Sequence, residues 1–199
     1  DTDEFKPDRA GRIRVRSEWK IKNESLIGIV ARLSVVKALP IFLEAAALLR
    51  KKRADLRFVI VGDGPDKREL ERLSRELNLT ENLIWAGARQ DMPAVYNALD
   101  ILCCCSNSEG FSNVIGEAMA CGVPCVVTDV GNSAQIVGDE GIVVPPGNSQ
   151  MLANGVDALL FKLNALSAFE IRGRIVKQFS LEAMIDATEN ALTELRLTT

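Results

Sequence analysis

Two carboxylates concentrate the chemistry of this chain in one short stretch. In SNSEGFSNVIGEAMACGVPCVVTD, residues 106–129, Glu109 stands in a polar loop beside Gly110, and Glu117 follows among Gly116, Ala118, Met119 and Ala120. No cation lies near Glu117 in the sequence. A carboxylate among small apolar residues is costly unless hydrogen-bond donors meet it, and a ribose diol offers two. Glu109, just before a glycine, is placed to reach the same crevice from the strand side. The plainer alternative, with Glu109 solvated and Glu117 capping a neighbouring turn, stays open on these residues alone. Between the two acids, Ser112 and Asn113 are both good helix caps, so a helix is expected to begin there. Its first N–H groups would point into the crevice and favour an anion by about 0.3–1 kcal/mol, or about 2 kcal/mol when partly buried.

A second group precedes this one. Arg32 and Lys37 bracket a short loop that runs into a helix, which sets two cations and several backbone N–H groups near one spot and suits a diphosphate. The same pair also reads as a solvated Arg and Lys flanking a turn. GDGP (62–65) is a weak phosphate-loop signal, and a plain strand-to-helix turn accounts for it as well.

These groups need a frame, and the pattern supplies one. From residue 25 onward short apolar runs alternate with longer amphipathic ones, the signature of repeated strand and helix units and a parallel sheet. Strands are expected at 25–32, 56–62, 82–87, 100–105 and 124–129, with a short edge strand at 141–147 ended by two prolines. Helices are expected at 38–53, 64–77 (with Pro65 in its first turn), 91–99, 112–122, 149–164, 166–179 and 180–196. The fold class is therefore α/β: a Rossmann-like doubly wound parallel sheet of about six strands, helices on both faces, and further helices at the C-terminal end. Ligands of such sheets bind at the carboxyl ends of the strands, and residues 31–37, 62–65, 87–89 and 106–117 all follow strand ends.

Composition narrows the partners. The chain has 199 residues, 47% of them hydrophobic and 26% charged, which is enough to build a core and far from a disordered composition. A net charge of −3 with dispersed Lys and Arg leaves no basic stripe, so nucleic acid is not an expected partner. Cys103, Cys104 and Cys105 alternate across a strand and cannot readily bridge one another; reduced thiols in a cytoplasmic core are the better reading. With no His and no paired Cys spacing, zinc is not expected.

GIVARLSVVK, FVIVGDGPDKREL, NLIWAGARQDMPAVYNALDIL, SEGFSNVIGEAMACGVPCVVTDVGNSAQIV and GIVVPPGNSQMLANGV, taken in order, resemble the C-terminal, donor-binding half of a group 1 (family 4) retaining glycosyltransferase of the GT-B architecture. The two Glu separated by seven residues carry the likeness most specifically. The resemblance implies that Glu117 holds the ribose hydroxyls of a nucleotide-diphospho-sugar and that Glu109 contacts the hexosyl ring being transferred. Arg32 and Lys37 would hold the diphosphate and stabilise leaving-group charge, with Gly110, Phe111, Ser112, Asn113 and Val114 completing the donor site and Arg89 beside the base. It implies no cofactor and no metal, the nucleotide sugar being substrate. It also implies a glycan or lipid-linked acceptor held by an N-terminal domain that this chain lacks, so residues 1–24 read as the linker into the donor domain of 25–199. Turnover by the isolated chain is not expected. The location implied is cytoplasmic, with at most peripheral contact at a membrane. Ala38 stands where the family often has Gly, and Gln135 where it often has Glu. Two rival readings share the architecture: a sugar-nucleotide epimerase, whose acid/base residues have no counterpart here, and a nucleotide-sugar-binding module without turnover.

Overall fold

A computed structural model describes residues 1–197. Six strands, β1 (Ser25–Val30), β2 (Leu56–Val61), β3 (Leu83–Gly87), β4 (Ile101–Cys104), β5 (Cys125–Thr128) and β6 (Ile142–Val144), form one sheet in the order β3-β2-β1-β4-β5-β6, parallel throughout. Every expected strand is present. The strands are apolar runs because both faces are covered. On one face Leu26, Val59, Leu102 and Cys104 meet α4 (Met92–Ala98), α5 (Asn113–Ala120) and α8 (Ala168–Phe179). On the other Ile27, Phe58, Ile60 and Cys103 meet α2 (Leu39–Lys52), α3 (Lys67–Glu76) and α7 (Ser149–Lys162). Cys103 and Cys105 belong to one layer and Cys104 to the other, and all five cysteines are buried free thiols. Pro65 differs from expectation: it stands in the turn before α3, whose cap position is Asp66.

Two helices lie outside the expected set. α6 (Ser133–Val137) is a single short turn after β5, and α1 (Arg9–Glu18) occupies much of the segment expected to be a linker. α1 is capped by Asp8, whose Oδ1 accepts from Ala10 N at 3.0 Å, and it is fastened to α4. Arg12 donates to the carbonyls of Asn97 and Leu99, both at 2.9 Å, and to Asp100 at 2.6 Å. Arg16 reaches the other oxygen of Asp100 at 3.0 Å, and that oxygen also takes the N–H of Leu26 at 2.7 Å. Residues 1–5 are tied down as well: the guanidinium of Arg172 on α8 donates to the carbonyls of Thr2, Phe5 and Ala120 at 2.8, 2.7 and 2.6 Å. The final helix, α9 (Leu181–Leu197), leaves Leu181, Met184, Ile185 and Leu192 exposed. Among the described residues no helix is long and apolar enough to cross a membrane.

Candidate functional site

The strand order reverses between β1 and β4. The chain runs outward from β1 through β2 to β3, then returns to β4 on β1's other side, so the loops leaving these neighbours diverge to opposite faces and open a crevice between them. Residues 31–38 form one wall and 105–112 the other. They are joined at the base: Asn107 N donates to Val36 O at 2.8 Å, and the Cys105 thiol lies 3.5 Å from the carbonyls of Lys37 and Ala38.

The first wall is a 3-10 turn, Val35–Lys37, followed by Ala38 in the left-handed region at φ 48°. This backbone twist starts α2 and turns Lys37 toward the second wall. There the Lys37 ammonium meets Glu109 Oε1 at 2.5 Å, and Ser106 Oγ donates to the same oxygen at 2.6 Å. Only 10% of the Glu109 side chain is accessible, against 27% for Lys37. Ser106 is buried, its carbonyl accepting from Thr128 Oγ1 at 2.7 Å. Glu109 is thus neither solvated nor isolated. Arg32, by contrast, is exposed and makes no ion pair among the described residues.

Below Glu109 the loop after β5 forms a shelf. Gly131 takes φ +54°, and a methyl group there would collide with the carbonyls of Glu109 and Gly110. Asn132 N then donates to Gly110 O at 3.1 Å. Past this shelf α5 begins at Asn113 with Ser112 at its cap position, as expected. The Ser112 side chain makes no capping bond and its hydroxyl lies 3.8 Å from the Cys104 sulfur; Ile115 N donates to Ser112 O at 3.2 Å, while the N–H groups of Asn113 and Val114 keep their capacity for an anion. Asn113 and Gly110 are exposed, Val114 is half-buried, and Phe111 is half-exposed with its ring 5.8 Å from that of Phe179.

Glu117 sits one turn into α5. Its Oε2 accepts the phenol hydrogen of Tyr96 at 2.6 Å. Glu117 borders a hollow of about 240 Å³ whose walls include Asp1, Phe5, Phe111, Asn113 and Phe179. A second, more apolar hollow of about 380 Å³ borders the first wall at Ser34, Val35, Ala38 and Asn107.

GDGP and Arg89 are placed differently. At Gly62 a methyl group would collide with Ala31 O, and the Gly64 N–H is taken by Asp63 Oδ1 at 2.8 Å. The glycine lets this turn press against residues 31–33, where Leu33 N donates to Asp63 O at 3.0 Å; it is a packing turn supporting the first wall. Arg89 follows edge strand β3, and all three of its guanidinium nitrogens donate to carboxylates. It donates to Asp91 at 2.9 and 3.0 Å and to Glu18 at 2.5 and 3.0 Å, with the Trp19 ring centroid 5.8 Å away. The Arg89 hydrogen bonds hold the Asp91 carboxyl at about 2, below the ordinary 3.8, and likewise lower Glu18.

The structure therefore brings Lys37, Glu109 and the start of α5 to one crevice, with Glu117 one helical turn beyond, and leaves the Arg89 side chain among other partners. Ser106 and Tyr96 were not among the expected residues. Ser106 lies inside the quoted loop at hydrogen-bonding distance in sequence from Glu109, a signal that was present. Tyr96 lies on another helix, and nothing local announces its contact.

A doubly wound domain with its charged groups at the β1/β4 reversal is a Rossmann-like unit of the GT-B kind. The comparisons name the family. Residues 24–162 match the model for glycosyl transferases group 1, and the chain belongs to that family, matching its C-terminal domain. It is 30% identical over 165 residues to the alpha-D-kanosaminyltransferase of Streptomyces kanamyceticus, covering 80% of this chain and 43% of that protein. The C-terminal domain of a group 1 glycosyl transferase, LpcC, from Francisella tularensis superposes with a TM-score of 0.80 at 30% identity, covering 91% of this chain and 98% of that one. Anabaena HepE, solved in complex with UDP, superposes with a TM-score of 0.89 at 25% identity, covering 98% of this chain and 55% of that one. The chain spans about half the length of the curated relatives it matches.

Proposed function

We propose that this chain is the donor-binding half of a retaining glycosyltransferase that moves a hexosyl group from a nucleotide-diphospho-sugar to a glycan or lipid-linked acceptor. The observation that carries this is the Lys37–Glu109 pair in the β1/β4 crevice, with the open first turn of α5 and Glu117 beside it. HepE was also solved with UDP-glucose, which supports a nucleotide sugar as the ligand class here.

In this reading the diphosphate lies against the first turn of α5 and draws on Lys37 and Arg32, while Glu117 accepts the ribose hydroxyls. Glu109, relieved of part of its ion pair by the incoming phosphate, faces the hexosyl ring. Departure of the nucleotide leaves growing negative charge on the β-phosphate. Preorganised cations and N–H groups stabilise that charge without reorganising, which is the main protein contribution in such a site. The leaving phosphate itself takes the acceptor proton on the same face of the sugar, so no separate protein base is required. No metal is needed for this scheme, because Lys37, Arg32 and the helix terminus supply the positive charge. An N-terminal domain would hold the acceptor and exclude water. We place the whole protein in the cytoplasm, touching a membrane peripherally where the acceptor is lipid-linked.

Calorimetric titration with UDP-, GDP- and ADP-sugars tests the reading. Binding in the micromolar to millimolar range is expected, since half the contacts of a closed enzyme are missing, and Glu117→Ala should weaken it about tenfold or more. No transfer should occur with the chain alone. Absence of binding would overturn the donor assignment; acceptor-dependent turnover by these 199 residues would overturn the half-enzyme part.

A further inference from the structure

Tyr96 is the only tyrosine of the chain, and its side chain is fully buried. It projects from α4 into the layer shared with α5, where the Phe5 ring packs against it in a T-shaped contact with ring centroids 6.0 Å apart. Its one polar atom is aimed at Glu117 Oε2 across 2.6 Å. Burial and then the Glu117 charge push the phenol above its ordinary range, so the hydroxyl is the donor in this contact. Among the described residues Oε1 of Glu117 has no hydrogen-bond partner, and Glu117 lines the hollow beside α5.

This division of labour has a chemical logic. A carboxylate held at one oxygen cannot swing, so its other oxygen faces a fixed direction before any ligand arrives. An Arg or Lys in place of the phenol would hold it equally well, but a buried cation is expensive and would neutralise the charge that strengthens a bond to a hydroxyl. A neutral donor on a rigid ring keeps the charge and fixes the direction. Resting on the donor reading above, we propose that Tyr96 is a positioning residue, which pins Oε2 of Glu117 so that Oε1 selects a ribose diol over a deoxyribose.

The test measures binding of UDP, GDP and ADP, and of the 2′,3′-dideoxy form of whichever binds wild type most tightly. Tyr96→Phe should weaken the ribonucleotide about tenfold while leaving the dideoxy analogue within about twofold, so the preference for ribose collapses. Glu117→Gln should erase the same preference, and the double variant should be no worse than Glu117→Gln alone. Equal losses for both ligands in Tyr96→Phe would mark a purely structural role and overturn the inference. If Glu117→Gln erases the preference and Tyr96→Phe keeps it, the inference alone fails. If Glu117→Gln leaves it intact, or no nucleotide binds wild type, the donor reading fails and the inference with it. Should Tyr96→Phe not fold, 3-fluorotyrosine labels this one position without changing its shape. A ¹⁹F resonance that moves with the ribonucleotide and not with the dideoxy analogue supports the proposal; one that moves with neither overturns it.

Discussion

The crevice between β1 and β4 and the cluster around Arg89 both gather opposite charges at the carboxyl end of the sheet, yet they are built to different ends. In the cluster every nitrogen of one guanidinium meets a carboxylate, with Asp91 shared by Arg14 as well at 2.9 Å. In the crevice a largely covered acid has one flexible cation and one hydroxyl, a second cation stands exposed on the same wall, and a helix start has no side-chain cap. The cluster spends nearly all of its donors internally, and the crevice leaves several unspent. Position at a strand end is therefore a poor guide by itself; what distinguishes the two is how much hydrogen-bonding capacity remains unspent.

Four measurements would break or sharpen that contrast. The largest effect is expected at Lys37. Lys37→Ala should reduce affinity for a nucleoside diphosphate about tenfold to a hundredfold while hardly changing that for the bare nucleoside, by calorimetry; equal losses for both would move Lys37 away from the phosphates. Arg89→Ala should instead read out as stability, lowering it by about 1–2 kcal/mol in urea unfolding, because Glu18 and Asp91 lose their shared donor. A smaller gain is expected from Ala38→Gly. Ala38 holds φ 48° at the hinge into α2, and removing its Cβ should stabilise the chain by about 1 kcal/mol, seen as a raised unfolding midpoint.

The smallest effect concerns acid. The folded Asp91 carboxyl lies at about 2 against 3.8, so its contribution is fully present above roughly pH 4 and is lost as pH falls toward 2. In Asp91→Asn the decline of stability across that window should be shallower than in wild type. An unchanged slope would show that the cluster is weaker than its geometry indicates.

Much of this was legible because the fold is written in its apolar runs. The central strands β1, β4 and β5 are covered on both faces and appear as short, largely apolar segments, while the edge strands β3 and β6 are only partly buried, and the longer helices show their stripe. α1 escaped that reading for a physical reason: only Gly11 and Val15 along it are buried, and its attachment is made by Arg12 and Arg16 reaching Asp100. Such a helix has no stripe to find. α6, spanning Ser133–Val137, is too short to show a period. At the site, the loop and helix start around Glu109 and Asn113 were readable because caps and glycines act locally. The donors were not. Tyr96 meets Glu117 from a different helix, and Glu18 meets Arg89 from a segment far upstream, so the partners of Glu117 and of Arg89 become visible only in the folded chain.

The clasp made by Arg172 bears on where this module can be cut. The match to the family model begins at residue 24, which invites chimeras joined just before β1. A junction there would discard Phe5, the wall against Tyr96, and leave Arg172 on α8 with only Ala120 of its three carbonyl acceptors. The exchangeable unit reaches further upstream than the stretch that the family model matches. Recombinants that keep residues 1–24 together with α8 inherit the hollow beside Glu117 intact, whereas those spliced at the start of similarity must rebuild it from foreign side chains.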